Sequence, residues 1–336
     1  MTYQPPFKIT ATILSLVEEI GEALGRMQAV ELADSRLRLH RINRIKTIQA
    51  SLEIEGNTLN LDQVTAVLDG KRVLAQPREL QEVRNAFAAY EAMSQWSPDD
   101  ERDLLTAHGL LMAGLVDELG CYRSGSVGVH GAQGVIHVAP QASRVPGLMG
   151  QLLQWLAETD EHPLIVSTVF HYEFEFIHPF QDGNGRMGRL WQSLILSRWR
   201  SVFANMPVES LIRDARQDYY AALNACNQVG ESTRFVEFML EIIFRALQSA
   251  SSTEQESGQV TEQVKRLLSE LRGKSRPARA LMQALDLKHR PNFFYHYLQP
   301  ALQQGLVEMT RPDTPRARNQ QYRLTELGRS VAESWK

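Results

Sequence analysis

No segment of this chain restricts its fold more than HPFQDGNGRMGR, His178–Arg189, which lies between two apolar helical runs. Upstream, HYEFEFI repeats its apolar residues at helical spacing and reads as a helix with a buried face. Pro179 disfavours the αR region for the residue before it, so this helix is predicted to stop at His178. Gly183 and Gly185 permit a tight turn, and MGRLWQSLILSRW predicts a second helix directly after it. The backbone N–H groups of Gly183, Asn184 and Gly185 then sit at a helix N-terminus with no side-chain bulk in front of them. Such a turn is an anion cradle, because the orphan amides and the helix dipole both favour negative charge.

The side chains around that turn are the ones polyphosphate chemistry needs. Arg186 and Arg189 are three residues apart and share one face of the second helix's first turn. Two guanidinium groups beside an amide nest point to phosphate oxygens. Asp182 offers a hard oxygen ligand for a Mg²⁺ ion riding on those phosphates. His178 can act as a general base near neutral pH. Taken singly, each is an ordinary cap, turn or solvated charge; within twelve residues they assemble the parts of phosphoryl or nucleotidyl transfer.

The rest of the chain supplies a mainly helical setting. Helical periodicity covers 9–27, 79–93, 145–156, 164–176, 187–199 and 235–247. The clearest strand signal is SVGVHGAQGVIHVAP, 126–140, two β-branched runs around a glycine-bearing loop, which reads as a hairpin. QSASSTEQESG, 248–258, is polar and rich in small residues and reads as a linker. Beyond it, helical runs at 260–271, 277–285 and 292–305 precede two short alternating segments, 306–310 and 320–324, the order of a winged helix. The boundaries this gives are a helical region over 1–100, a core over 101–250, a linker at 251–259 and a small domain over 260–336. A formal net charge of −3 hides an asymmetry: residues 274–336 hold eleven basic and five acidic side chains, so a basic tail follows an acidic body. Two cysteines, Cys121 and Cys226, lack metal or redox spacing and suggest reduced thiols. Charged residues interrupt every apolar run, so the expectation is a cytoplasmic chain without a signal peptide or membrane span.

HPFQDGNGRMGR matches the Fic signature HPFx(D/E)GNGRxxR at every fixed position. The hairpin 126–140 resembles that family's flap, which aligns the target segment, GCYRSGSV resembles its lead-in, and DYYAALNACN, 218–227, resembles the segment that packs on adenine and ribose. The resemblance covers most of residues 50–250. It implies a helical Fic core that moves AMP from ATP, with Mg²⁺, onto a hydroxyl of a target protein, self-modification included. His178 would deprotonate that hydroxyl and Asp182 would bind Mg²⁺. The amides of Gly183–Gly185 with Asn184 would hold the α-phosphate, Arg186 the β side and Arg189 the γ-phosphate. Tyr219, Tyr220 and Asn227 would line the nucleoside pocket, and Val135, Ile136 and His137 would belong to the flap. Use of another nucleotide, AMP removal, or a DNA-binding regulator whose core only senses nucleotide are the rival readings.

SLEIEGN, 51–57, fits that family's inhibitory pattern (S/T)xxxE(G/N) with Ser51, Glu55 and Gly56. The resemblance implies that Glu55 reaches Arg189 and competes with the γ-phosphate, leaving Glu53 a bystander. The C-terminal segment resembles the winged helix found on Fic proteins of this layout. There Lys288, Arg290, Asn292 and Tyr295 would open the recognition helix, and Arg311, Arg316 and Arg318 would decorate the wing. DNA and protein are both open as partners of residues 274–336, and self-association is open as well.

Overall fold

The protein is described by a computed structural model that covers residues 3–28, 36–125, 128–131, 134–258, 262–287, 289–303, 305–311, 317 and 319–333, with backbone alone at 28, 36–40, 128–131, 134–138, 251–258 and 303. Contacts divide the chain into one unit of 1–29 and 40–249 and a second of 30–39 and 250–336.

The larger unit is built from α1 (Ala11–Gln28), most of α2 (Arg36–Ile54), α3 (Leu61–Leu68), α4 (Pro77–Ala92) and α5 (Glu101–Leu111), then the hairpin β1 (Gly128–Gly131) and β2 (Gly134–Val138). It continues through α6 (Val145–Glu158), α7 (Pro163–Ile177), α8 (Asn184–Trp199), α9 (Val208–Asp214), α10 (Arg216–Val229) and most of α11 (Thr233–Gly258). At its centre, α7 is buried on every side, from Leu164 through Phe170 and Phe174 to Ile177, as expected of a helix apolar all round. Its ends are set locally. The ring Nδ1 of His162 accepts from Leu164 N–H at 3.2 Å and Pro163 occupies the first turn. At the other end His178 turns left-handed, φ 51° and ψ 61°. The expected stop at His178 is therefore found, but through αL rather than the extended backbone that precedes most prolines. The second helix starts three residues earlier than its apolar pattern suggests, at Asn184, with Gly183 as N-cap at φ 86°.

The hairpin expected over 126–140 is present as an antiparallel pair with a register break between Val129 and His130. The side chains of Val135, Ile136 and His137 lie outside the described residues. The stretch 248–258, read as a linker, is helical: α11 runs unbroken to Gly258, and the division between the two units falls within it, after 249. Gln, Ser and Glu tolerate helix well enough, and no Pro or Gly interrupts the stretch before Gly258.

The smaller unit has its own apolar core, with Leu267, Leu268, Leu281, Phe293, Leu298 and Leu324 among its buried residues. Its helices α12 (Glu262–Leu271), α13 (Ala278–Ala284) and α14 (Arg290–Phe293) are followed by a π-helical turn at Phe294–Leu298 and by α15 (Gln299–Gln303). The antiparallel strands β3 (Val307–Met309) and β4 (Tyr322–Leu324) and then α16 (Glu326–Glu333) complete it. This is the predicted order with one helix added, and the third helix is interrupted by the π turn. Lys288, Arg316 and Arg318 lie outside the described residues; Arg290, Asn292 and Tyr295 are exposed. Among the described residues no helix is long and apolar enough to cross a membrane.

Candidate active site

The turn between α7 and α8 is closed by its own side chains. The Asn184 amide oxygen accepts from Phe180 N–H at 2.9 Å and its Nδ2 donates to Phe180 C=O at 2.8 Å. Asn184 thus locks the turn, so its part in holding an anion passes to its backbone. Gly183 N–H is also taken, by Asp182 Oδ1 at 2.6 Å. The first intrahelical bond of α8 runs from Met187 N–H to Gly183 C=O, so the orphan donors are the amides of Asn184, Gly185 and Arg186. The cradle is shifted one residue from the predicted one. A side chain at Gly183 would be strained: its φ is left-handed and a Cβ would lie 2.6 Å from Met112 Sδ. Behind the turn, Phe180 stacks on His108 at 3.7 Å and 4°. His108 Nδ1 accepts from Gly120 N–H, so Nε2 carries the proton that reaches Asp182 C=O at 3.2 Å. Burial depresses the pKa of this ring and keeps it neutral.

Both arginines of the segment are buried, Arg186 at 5% and Arg189 at 1% exposure, which rules out a solvated helix face. Arg186 Nη2 reaches Asp182 Oδ1 at 3.3 Å and its Nη1 lies 3.7 Å from Glu82 Oε1. Asp182 also takes Arg78 Nη2 on Oδ2 at 3.1 Å, and Arg78 Nε lies 3.4 Å from Glu82. Glu82 in turn accepts from Asn57 Nδ2 at 2.8 Å. A chain of charge and hydrogen bonds therefore runs from the end of the 51–57 segment to the carboxylate of Asp182. Among the described residues no cluster of three or more His, Cys, Asp or Glu could hold a metal. Asp182, with its carboxylate 43% exposed, suits a Mg²⁺ ion whose other ligands are phosphate oxygens and water.

Arg189 meets the upstream segment. Its Nη2 donates to Glu55 Oε1 at 2.7 Å and to Ser51 C=O at 3.0 Å, and its Nε donates to Ser51 Oγ at 3.1 Å. The local sequence explains how Glu55 comes to be there. Asn57 N–H bonds Leu52 C=O and Gly56 N–H bonds Glu53 C=O, with Gly56 at φ 96°, which is a Schellman ending for α2. Glu55 is thereby held at the helix end, one turn beyond Ser51 on the same face. A carboxylate at a helix C-terminus opposes the dipole, and the Arg189 guanidinium offsets both it and the nearby carbonyl. A Cβ on Gly185 would overlap Glu55 Oε1. The carboxylate therefore lies against Gly185 in the first turn of α8, beside the free amides. Glu53 pairs instead with Arg213 at 3.3 Å and takes no part here.

A buried polar layer that the sequence did not announce lies behind Arg189. His171 Nδ1 donates to Gln192 Oε1 at 2.7 Å, and its Nε2 accepts from the Tyr219 hydroxyl at 3.0 Å. Burial pushes the His171 pKa down to about 3, with the Arg189 charge acting in the same direction against the Gln192 bond. The Glu175 carboxyl is pushed up to about 8 by burial and by Glu55, partly offset by Arg189. For Arg189 itself burial works most strongly against the charge, and the Glu55 carboxylate with Tyr219 and Tyr220 together offset it, holding the guanidinium above its ordinary value. Tyr219 corrects an expectation. At 1% exposure, bonded to His171 and packed on Phe235, it is core and presents no face to a nucleoside. Tyr220 and Asn227 are half-buried, seven residues apart on one face of α10; Arg216 stands 5.8 Å over the Tyr220 ring and Asn227 accepts from the Tyr172 hydroxyl. His171 and Glu175 were legible only as members of a helical apolar run.

Comparison with known proteins points to one family. The Fic/DOC family model matches residues 98–196, and the model described as filamentation induced by cAMP protein Fic-like, C-terminal domain, matches 262–325. A Fic family protein of Desulfovibrio desulfuricans G20, known by its crystal structure, is 57% identical with a TM-score of 0.73, over 96% of this chain and 99% of that one. Fic-1 from C. elegans is 25% identical with a TM-score of 0.61, over 73% and 72% of the two chains. Proteins named protein adenylyltransferase Fic from Aedes aegypti and Nematostella vectensis are 29% and 31% identical, over 64% and 61% of this chain. The chain spans 44% and 49% of their lengths, about half of the curated relatives it matches.

Proposed function

The chain belongs to the Fic family, and we propose that it is a protein adenylyltransferase held back by its own Glu55. The observation that carries the proposal is the carboxylate of Glu55 seated against Gly185 and bonded to Arg189. An anion site whose occupant belongs to the chain is one that a second anion can claim by competition.

In the reaction, the hydroxyl oxygen of a target side chain attacks the α-phosphorus of ATP, the bond to the β-phosphate bridge breaks, and pyrophosphate leaves. His178 takes the hydroxyl proton. The amides of Asn184, Gly185 and Arg186 lie against the α-phosphate oxygens, Arg186 against the β-phosphate, and Arg189 against the γ-phosphate once Glu55 withdraws. Asp182 would hold a Mg²⁺ ion that neutralises charge on the leaving pyrophosphate. Preorganised charge of this kind contributes more to in-line transfer than covalent chemistry does. Half-buried Tyr220 and Asn227 are the residues left to wall the nucleoside. The test uses ATP labelled on the α-phosphate with the unmodified chain, Glu55→Gly and Glu55→Gly/His178→Ala. Label is expected on protein with Glu55→Gly and lost with the double variant, by roughly 10²–10⁴-fold in rate. Absence of label on any protein with Glu55→Gly would refute the transferase reading.

For the smaller unit we infer duplex DNA as the partner. Exposed Arg290, Asn292, Tyr295 and His296 on and just after α14 support it, with the basic balance of the tail. Affinity of the chain for duplex DNA should fall steeply with salt; salt-independent or absent binding refutes it.

A further inference from the structure

Arg123 is 3% exposed, yet among the described residues everything its guanidinium bonds is backbone carbonyl. Its Nε donates to His178 C=O at 2.7 Å, Nη1 to Gly125 C=O at 2.9 Å, and Nη2 to Pro140 C=O at 2.5 Å and to Ile177 C=O at 3.4 Å. The Arg123 backbone N–H adds Pro179 C=O at 2.9 Å. One residue thus takes three consecutive carbonyls at the exit of α7 and one at each foot of the β1–β2 hairpin. Burial alone draws the guanidinium pKa down, and no carboxylate bonds to it among the described residues. What compensates the charge is the negative end of α7 together with the carbonyl dipoles.

The carbonyls it holds belong to the most constrained backbone of the site. His178 is left-handed, although it has a Cβ and precedes a proline. Such a conformation is strained and persists only where the surroundings over-determine it. The hairpin, for its part, is a two-stranded sheet without a further strand among the described residues. Its open edges can pair with an extended peptide through main-chain bonds. A planar fork with five donors joins the two pieces in a way that a single ammonium cannot.

We propose that Arg123 is a positioning residue that fixes His178 and the hairpin as one body, so that an extended hydroxyl-bearing segment paired to the hairpin edge is presented to the imidazole in register. The proposal rests on the adenylyltransferase reading. The nucleotide contacts of that reading come from Asp182, α8 and α10 and do not involve Arg123, so loss of the fork separates nucleotide binding from transfer.

The test compares Glu55→Gly with Glu55→Gly/Arg123→Lys, which keeps the charge but not the fork. ATP affinity should stay within roughly twofold, whereas α-phosphate label transferred to protein should fall by about tenfold or more, the scale of small misplacements at a reacting centre. Hydrogen exchange at the amides of 134–138 should quicken about tenfold while α8 is unchanged, as expected when one local unit loses its anchor. Label transfer at the Glu55→Gly rate, or unchanged exchange in the hairpin, overturns the proposal. Should Arg123→Lys fail to fold, two glycines inserted after Pro140 loosen the hairpin foot and leave Arg123 on the His178 turn. Transfer at the Glu55→Gly rate in that variant likewise overturns it. Complete absence of label in Glu55→Gly refutes the transferase reading instead, and the exchange measurement still decides whether Arg123 couples the two elements.

Discussion

Replacing Glu55 by glycine should weaken the fold and strengthen the chemistry, a combination that an ordinary helix-end carboxylate would not produce. Removing one partner of a fully buried ion pair costs about 3–5 kcal/mol, because the remaining charge is left in low dielectric. Here Arg189 is 1% exposed but the Glu55 side chain is 34% exposed, so water can follow the lost carboxylate. Ser51 Oγ and C=O also stay in place. The expected loss is therefore smaller, about 1–2 kcal/mol after allowance for solvent. At about 2–4 °C per kcal/mol for a unit of this size, the melting temperature should drop by roughly 2–8 °C. ATP should then bind more tightly by the worth of charged hydrogen bonds to one phosphate, about 1.5–3 kcal/mol, or roughly tenfold to a hundredfold. ADP, which has no γ-phosphate, should gain little. Thermal melts with and without each nucleotide, calorimetric affinities and α-phosphate labelling read all three effects. Arg189→Ala in the same chain should remove the gain in ATP affinity and in label. Equal gains for ATP and ADP, or transfer at or below the parent rate in a folded Glu55→Gly, would refute the competition.

Asp182→Ala should abolish label transfer together with its Mg²⁺ dependence, and an unchanged Mg²⁺ midpoint measured by titration would exclude Asp182 as ligand. Glu175 is raised in the folded chain to about 8 from the usual carboxyl range. The native state therefore retains a proton that the unfolded state releases, and stability falls as pH rises from about 4.5 to about 8, by several kcal/mol at most. Glu175→Gln should flatten that decline and stabilise the protein most above pH 8, read from urea melts across pH; a parallel pH profile contradicts the assignment. Gly183→Ala meets a left-handed φ and Met112 Sδ, whereas Gly230→Ala meets only a left-handed φ in open space. The second should cost about 1–2 kcal/mol and the first more, with loss of ATP binding; equal melting shifts would contradict the close packing.

Much of the site was legible because its signals are local. Pro179 after His178 and glycine at 183 specify where α7 stops and α8 begins within a few residues of chain. Ser51 and Glu55 share a face by helical spacing, and Gly56 ends that helix at the required point. Tertiary structure decided what these pieces touch. Arg189 meets Glu55 across 134 positions and Arg123 meets His178 across 55, contacts that no periodicity encodes. The displacement of Tyr219 from nucleoside wall to core is of the same kind, since an aromatic residue at helical spacing serves either place until the neighbouring helices pack. So is the stretch 248–258, where polar composition fits a helix as readily as a linker. The pKa values of His171 and Glu175 belong wholly to the folded state. Their main cause is burial, and burial is a property of the surrounding shell of elements, which local sequence does not contain.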